Sequence, residues 1–268
     1  MHISLQQTSW HDIDLVQLAD NIGHNVKSWP DSRLFDAFYK KLFENGRLDL
    51  RESFVANKHA LADKFAELLG IYSNRNASIL SIGVGTGIIE AHMIKSGWKV
   101  DLQEIQETSI EYFRHNHQDL LGQTKIYSSY DLSDIPTESY DVIICSIVTY
   151  ACKLEIVRKI LAAVGKILKR GGAFIWCDVP LTWQEIYQYT KFWLYNHLYN
   201  VPYKRNGIFW GEKRSISVWH KLAKEAGLSL LDQTYLHTQT RDFIRPPHYF
   251  GTAFGKDIAE QIAVYKKL

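Results

Sequence analysis

The sequence predicts an α/β fold in which helices cover a mostly parallel sheet, and three observations lead to this class. From about residue 75 onward, short apolar runs typical of strands alternate with segments of helical periodicity. A glycine-rich turn joins the first of these strands to a helix. The run Tyr140–Ser146 is apolar almost throughout, which is typical of a strand buried on both faces of a parallel sheet.

Composition and charge restrict the classes of function. The chain has 268 residues, of which 46% are hydrophobic, and its net charge of +2 does not indicate a nucleic-acid or membrane surface. The N-terminus lacks a signal peptide, no apolar run approaches a membrane span, and no metal-ligand spacing occurs. We therefore expect no membrane partner and no metal. The cysteines form no C-x-x-C pair and lie in apolar segments, which indicates a cytoplasmic setting: Cys145, Cys152 and Cys177.

The first 75 residues lack strand alternation and predict a helical cover. One helix is expected from about Asp31, where Pro30 and Ser32 mark a start, and a second from about Asn57 to Leu69. The apolar residues of the first helix share one face: Phe35, Phe38, Tyr39, Leu42 and Phe43.

The glycine-rich turn is the first candidate binding site. Gly83, Gly85 and Gly87 alternate between an apolar strand and a helix that runs to about Ser96. This G-x-G-x-G spacing differs from the G-x-G-x-x-G of dinucleotide-binding loops. Alternate glycines allow a tight turn with exposed N–H groups, and the helix directs its positive end into the same space. The turn therefore suits a carboxylate or a phosphate.

Two further strands end in acidic segments. Lys99–Gln103 is followed by Glu104, which can accept hydrogen bonds from both hydroxyls of a ribose. Asp101 is a competitor, but it lies in the middle of the strand. A third strand, at about 125–128, leads into a turn that contains Asp131 and Leu132.

The next strand and helix complete the predicted parallel sheet. The apolar strand that begins at Tyr140 ends at Ser146. A helix over about 153–168 ends in Lys169-Arg170-Gly171-Gly172, a cationic last turn with a glycine cap. The fifth strand is expected over 173–178.

Taken together, these segments resemble the class I S-adenosylmethionine (SAM) dependent methyltransferases. The glycine turn resembles their motif I, acid-x-G-x-G-x-G, although Ser81 occupies the acidic position. The segments 104–112, 130–136, 140–146 and 169–173 resemble the four family segments that follow. The resemblance covers about residues 75–256. It implies a Rossmann-like seven-stranded sheet in the order 3-2-1-4-5-7-6, whose last strand, at 249–256, is antiparallel.

The resemblance also implies roles for individual residues. Gly83, Gly85 and Gly87 would cradle SAM, Glu104 with Ile105 would hold its ribose, and Asp131 with Leu132 its adenine. Ser146 would line the same site. Tyr39 lies in an aromatic-Asp-x-x-Tyr segment whose tyrosine closes over the cofactor in the family, and packing alone is the other interpretation. The family's motif I carboxylate helps to orient the methionine ammonium, and Ser81 lacks it.

Residues 181–214 interrupt the alternation with a dense series of aromatic residues. Family enzymes place a substrate-shaping insertion here, so we expect an acceptor pocket with contacts from Tyr150, Trp193 and Tyr199. A helical lid and a homodimer surface are the other interpretations. His197 and His237 are the candidate general bases.

The sequence thus predicts one domain in four parts: a helical cover (1–75), a SAM-binding core (76–180), an aromatic cap insertion (181–214) and closing strands (215–268). The predicted function is SAM-dependent methyl transfer to an oxygen or nitrogen atom of a small molecule. Two alternatives remain open, a SAM-binding protein without methyl transfer and an RNA methyltransferase. Nucleic acid is the less favoured partner because the chain carries no basic extension.

Overall fold

The structure is a computed structural model. It describes residues 2–10, 13–44, 52–179, 181, 186–187, 189–191, 193–194, 198, 207–237, 252–253 and 256–268.

The helices with defined bounds are α1 (Leu15–Asn21), α2 (Ser32–Glu44), α3 (Glu52–Tyr72), α4 (Ile88–Lys95), α5 (Glu107–Asn116), α6 (Leu154–Ile167) and α7 (Ile216–Glu225). The strands are β1 (His2–Gln7), β2 (Ser9–Trp10), β3 (Ile13–Asp14), β4 (Ser78–Ile82), β5 (Lys99–Gln103), β6 (Ile126–Tyr127), β7 (Tyr140–Ser146), β8 (Leu168–Asp178), β9 (Ile208–Arg214), β10 (Leu228–His237), β11 (Thr252–Ala253) and β12 (Lys256–Lys267). None of these helices is long and apolar enough to cross a membrane.

The main sheet runs in the order β10-β12-β8-β7-β4-β5-β6, with the short β11 paired to β12 beside this path. Strands β4 to β8 are parallel to one another, and β12 is antiparallel to both β8 and β10. When the seven strands of this path are numbered along the chain from β4 and read starting at β6, their order is 3-2-1-4-5-7-6. This order confirms the predicted fold class. The central β4 places the glycine turn at the carboxyl edge of the sheet.

Two predicted boundaries in the sheet require correction. The strand that inserts antiparallel is β12, Lys256–Lys267, and not 249–256. Its residues alternate between the two faces of the sheet: Ile262 and Val264 lie on one face, and Ala263 and Tyr265 lie on the other. All four are buried, so β12 packs into the apolar layers on both faces. The fifth strand, β8, also begins earlier than predicted, at Leu168, because the Gly171–Gly172 pair bends within the strand instead of ending it.

The sequence predicts a purely helical cover, but the structure also contains strands in this region. Residues 2–7 form β1, which pairs antiparallel with β9 from the far end of the cap insertion, and β2 and β3 form a second short ladder. Since the partner of β1 lies so distant in the sequence, local periodicity carries no signal for this pairing.

Two apolar layers hold the sheet. On one face, α3, α4 and α5 pack on alternate residues such as Ile79 and Ile144. On the other face, α6 and α7 pack on Leu80 and Ile143, where the Trp176 ring stacks on Trp219 at a centroid distance of 4.7 Å.

A third apolar cluster joins the cover to the cap strand. Trp210 of β9 contacts the rings of Trp10, Phe35 and Phe38, with centroids 5.1–5.7 Å apart. The same cluster includes residues that follow three strands of the main sheet, namely Ile88, Ile147 and Val179. The cover and β9 therefore lie over the carboxyl edge of the sheet, where the glycine turn is located.

Candidate active site

The glycine turn adopts a backbone that strongly favours glycine. Gly83, Gly85 and Gly87 have φ angles of 72°, 57° and 71°, which lie in the left-handed region. A Cβ atom at Gly85 would lie 2.8 Å from the Tyr39 hydroxyl oxygen. Helix α4 begins directly after Gly87 and has no side-chain cap, so the positive end of α4 faces the turn.

Glu104 is bound to this turn. Its Oε2 accepts a hydrogen bond from the Gly85 N–H at 2.7 Å, and its Oε1 accepts from the N–H groups of Ile105 and Gln106 at 2.8 and 2.9 Å. Burial raises the pKa of this carboxyl, and the three N–H donors partly oppose the rise. Oε2 retains capacity to accept a further bond, as the predicted contact with ribose requires.

Tyr39 of α2 places its hydroxyl group beside Gly85. Burial and then the negative charges of Glu104 and Glu90 raise the pKa of Tyr39, so the phenol stays protonated and can donate a hydrogen bond. Helix α2 is held in this position by α5, because Thr108 donates a hydrogen bond to Asp36 at 2.6 Å and Phe43 stacks on Tyr112. The predicted closing residue thus lies against the predicted loop.

Glu90, which sequence reasoning missed, lies in the first turn of α4. Its Oε1 accepts a hydrogen bond from the Ser81 hydroxyl at 2.6 Å, and the residue is only 2% exposed. Burial raises the pKa of Glu90 to about 7. Its Oε2 is buried and has no hydrogen-bond partner among the described residues. The sequence feature that could have identified Glu90 is an acidic residue three positions after the last glycine of the turn.

Asp178, also missed, ends β8 at the same edge. Its Oδ2 accepts hydrogen bonds from the Thr149 hydroxyl and the Tyr150 N–H, and its Oδ1 from the Val179 N–H. Burial raises the pKa of Asp178 to about 6. Oδ2 thus holds the turn Thr149–Ala151, so Asp178 positions the floor of the site. Its place at the end of the fifth strand was the signal.

The floor itself follows β7. Ser146 lies opposite Cys177 in the register, and Ile147 has φ 56°, an unusual value for a β-branched residue. Tyr150 is buried in the cluster formed by the cover and β9, so it joins the floor to the cover. Its predicted contact with an acceptor stays a prediction.

The predicted adenine segment follows β6 at the same edge. Asp131 is exposed, and hydrogen bonds from the Ser133 hydroxyl and from the Ser133 N–H at 3.2 Å lower its pKa. Leu132 has φ 60° and is buried against the apolar layer under β4. This geometry leaves the Asp131 carboxylate accessible beside a fixed backbone, and its contact with adenine stays a prediction.

The acceptor-side predictions are spread more widely. Trp193 is 53% exposed. His197 and Tyr199 lie outside the described residues. His237 is the last residue of β10, which is four strands from β4, or about 19 Å at the usual strand spacing. A base at His237 would therefore require an acceptor that extends across β8 and β12.

The residues of the turn fit SAM. Three glycines admit close backbone approach, the buried Glu104 carboxyl group can accept a hydrogen bond from a ribose hydroxyl, and a protonated tyrosine lies over the turn. Groups of three or more His, Cys, Asp or Glu side chains that could bind a metal are absent from the described part of the chain.

The raised pKa of Glu90 makes a testable prediction about stability. Between pH 4.5 and 7, Glu90 ionises in the unfolded chain but stays protonated in the fold, so the free energy of unfolding falls as pH rises. Relative to Glu90→Gln, which does not titrate, the wild type should lose about 3 kcal/mol over this interval. Urea denaturation at pH 5 and 7.5 without ligand measures the difference, and parallel pH profiles for the two proteins would contradict it.

Comparisons with known proteins agree with this geometry. A family model described as a methyltransferase domain matches residues 51–233. The ribosomal protein L11 methyltransferase of Dictyoglomus turgidum is 28% identical over 130 residues, which are 48% of this chain. The chain spans only 42% of that relative's length.

Two solved structures share the fold. A SAM-dependent methyltransferase from Methanosarcina mazei has a TM-score of 0.57 and 14% identity, covering 75% of this chain and 97% of that one. The magnesium protoporphyrin IX methyltransferase of Synechocystis PCC 6803, solved with bound S-adenosylhomocysteine (SAH), has a TM-score of 0.57 and 15% identity, covering 83% and 87%. At these identities the likeness concerns the fold.

Proposed function

The chain belongs to the methyltransferase-domain family, and from that premise we propose that it transfers the methyl group of SAM to an oxygen or nitrogen atom of a small molecule. The observation that carries the proposal is the hydrogen bond between Glu104 and the Gly85 N–H, which joins the second strand's acid to the glycine turn. The Glu104 carboxylate, which would bind the ribose, thus lies beside a turn that would approach the methionine part of the ligand.

On the donor side, we propose that Glu104 accepts hydrogen bonds from the ribose hydroxyls and that Asp131 accepts one from the adenine amino group. The backbone at Leu132 would contact the ring, and Ser146 would line the site below it. Tyr39, protonated and close to Gly85, would close the site from above and exclude water.

On the acceptor side, we propose that the cap insertion and the cover form the walls of a pocket. Two features support this: the third apolar cluster lies over the carboxyl edge, and three aromatic residues of the cap, Tyr187, Tyr189 and Trp193, expose 41–64% of their surface. Exposed aromatic faces near the edge of a parallel sheet suit a compact, planar or sugar-like acceptor.

SAM, when bound, supplies an electrophilic methyl group on a sulfonium, which a nucleophile attacks in line. The contribution of the chain is mainly to hold the two reactants in contact and aligned. A hydroxyl acceptor also requires a general base, for which His197 and His237 are the candidates. Asp178 is assigned to the floor of the site instead, because its Oδ2 holds the turn Thr149–Ala151.

The function can be tested by following the methyl group. The protein is incubated with methyl-labelled SAM and a cell extract separated into small-molecule, protein and RNA fractions, and SAH is measured in parallel. Label in a small molecule, lost with Glu104→Ala, would support the proposal. Label in RNA, or bound SAM without SAH formation, would favour one of the other interpretations of the sequence.

A protein acceptor is a second candidate, favoured by the identity to the L11 methyltransferase. Label in the protein fraction would select it. The net charge of +2 gives no particular attraction to basic ribosomal proteins, so we rank it below the small-molecule acceptor.

Trp193 provides a test of the acceptor pocket. Trp193→Ala should lower kcat/KM for the acceptor about tenfold, since a lost aromatic contact costs about 1 kcal/mol or more, while the Kd for SAM stays unchanged. The control is Ile71→Ala, which removes a residue that is 62% exposed on α3 near the amino edge of the sheet. Loss of SAM binding in Trp193→Ala would assign the segment to a lid instead.

A further inference from the structure

The buried carboxyl group of Glu90 has no assigned role in the function proposed above. It lies nine residues after Ser81, and the tight glycine turn returns it to the end of β4, where Ser81 donates its 2.6 Å hydrogen bond. Only 2% of Glu90 is exposed, and Oε2 accepts no hydrogen bond from the described residues. An unsatisfied carboxyl oxygen at this depth is costly unless a ligand supplies the missing donor.

The surroundings of Glu90 indicate what kind of ligand would do so. Lys58 of α3 contributes positive charge, which lowers the pKa of Glu90, and Glu104 contributes negative charge, which raises it. Tyr39 of α2 is also within the field of both carboxyl groups. The Ser81 hydroxyl completes the surroundings from β4. A cationic donor placed between Glu90, Glu104 and Tyr39 would therefore be stabilised.

We propose that Glu90 binds the α-ammonium group of SAM through its free Oε2, in place of the carboxylate that Ser81 lacks. This inference rests on the proposed function, since it takes SAM as the ligand. Of the two positive centres in SAM, the ammonium carries N–H donors and the sulfonium carries none, so only the ammonium satisfies an oxygen that needs a donor. The sulfonium must also face the acceptor, whereas Glu90 is buried under the turn.

The two residues then act as a pair. The Ser81 hydroxyl holds Oε1 and fixes the carboxyl group, which leaves Oε2 for the ligand. Because ammonium binding favours the ionised carboxylate, SAM or SAH should displace a proton from Glu90 near neutral pH.

The test compares two ligands by isothermal titration calorimetry: SAH and its analogue in which hydrogen replaces the α-amino group. Glu90→Gln should bind SAH about tenfold more weakly than the wild type does, yet bind the deaminated analogue equally well. Titration of the wild type at pH 6.5 in two buffers of different ionisation enthalpy should show proton release with SAH and none with the analogue.

A rescue variant separates binding from a structural role. Adding Ser81→Asp to Glu90→Gln returns a carboxylate to the end of β4 and should restore most of the affinity for SAH, but leave the analogue unaffected. An equal loss for both ligands, or no proton release by the wild type, would overturn the inference. If the wild type binds neither ligand, the proposed function itself fails. If Glu90→Gln does not fold, the comparison of proton release by the wild type with SAH and with the analogue still tests the inference.

Discussion

Replacing Glu104 by alanine should weaken SAM binding about 100-fold while the chain remains folded. A charge-assisted hydrogen bond from a ribose hydroxyl to the remaining acceptor position of the carboxylate is worth about 1.5–3 kcal/mol. The same replacement leaves the Gly85 N–H, now bound to Oε2 at 2.7 Å, without its partner, so the turn also loses its fixed position. Calorimetric titration with SAM measures the loss, and circular dichroism reports the fold.

The matched control for this experiment is Glu107→Ala. Glu107 lies in the first turn of α5, three residues further on, and its exposed side chain forms a long 3.8 Å ion pair with Arg114. We expect an unchanged Kd for SAM in this variant. If Glu104→Ala binds SAM as well as Glu107→Ala does, the assignment of Glu104 to the ribose is wrong.

Replacing Arg214 by methionine should lower the free energy of unfolding by about 3 kcal/mol. The guanidinium of Arg214, at the end of β9, is 4% exposed and donates hydrogen bonds to the carbonyl groups of Thr149 and Cys152 at 2.6 and 2.5 Å. Burial lowers its pKa, and the charges of Glu212 and Asp178 oppose that effect. Methionine keeps the apolar volume but leaves two carbonyl groups without donors and Asp178 without its cation.

Urea denaturation of Arg214→Met, compared with Arg170→Met, isolates the effect of burial. The Arg170 side chain is 86% exposed and its 3.9 Å contact with Glu138 is a surface ion pair, so its loss should cost less than 1 kcal/mol. Similar stabilities for the two variants would show that the network of Asp178, Thr149 and Arg214 contributes little to the fold.

The sheet and its glycine turn were predictable because their signals are local. The apolar run 140–146 and the spacing of Gly83, Gly85 and Gly87 each report on neighbours in the sequence, and the order of the strands followed from the resemblance. Glu104 was predictable for the same reason, since it directly follows a strand. The hydrogen bond between Glu104 and the Gly85 N–H shows that the two predicted features, the glycine turn and the acidic residue after β5, are in contact.

The contacts that sequence reasoning missed each need a partner from elsewhere in the chain. In the sequence, Ser81 only marks a missing carboxylate, because its sequence neighbours do not indicate that the glycine turn places Glu90 within hydrogen-bond distance of it. Asp178 and Arg214 are ordinary charged residues in the sequence, and only the packing of β9 over the 149–151 turn makes them one network. Strand β1 was predicted as helix because its partner is β9.

The pairing of β1 with β9 also has consequences for the order of folding. Strands β4 and β5, and likewise β7 and β8, are each joined by one helical connection, whereas His2 must find Arg214 across almost the whole chain. Closing so large a loop is entropically costly and slow, so the β1–β9 ladder should form after the main sheet and open before it. Its amides should exchange with solvent faster than those of β4. With the acceptor pocket where we propose it, substitutions in this late-forming layer would alter acceptor choice while the main sheet stays intact.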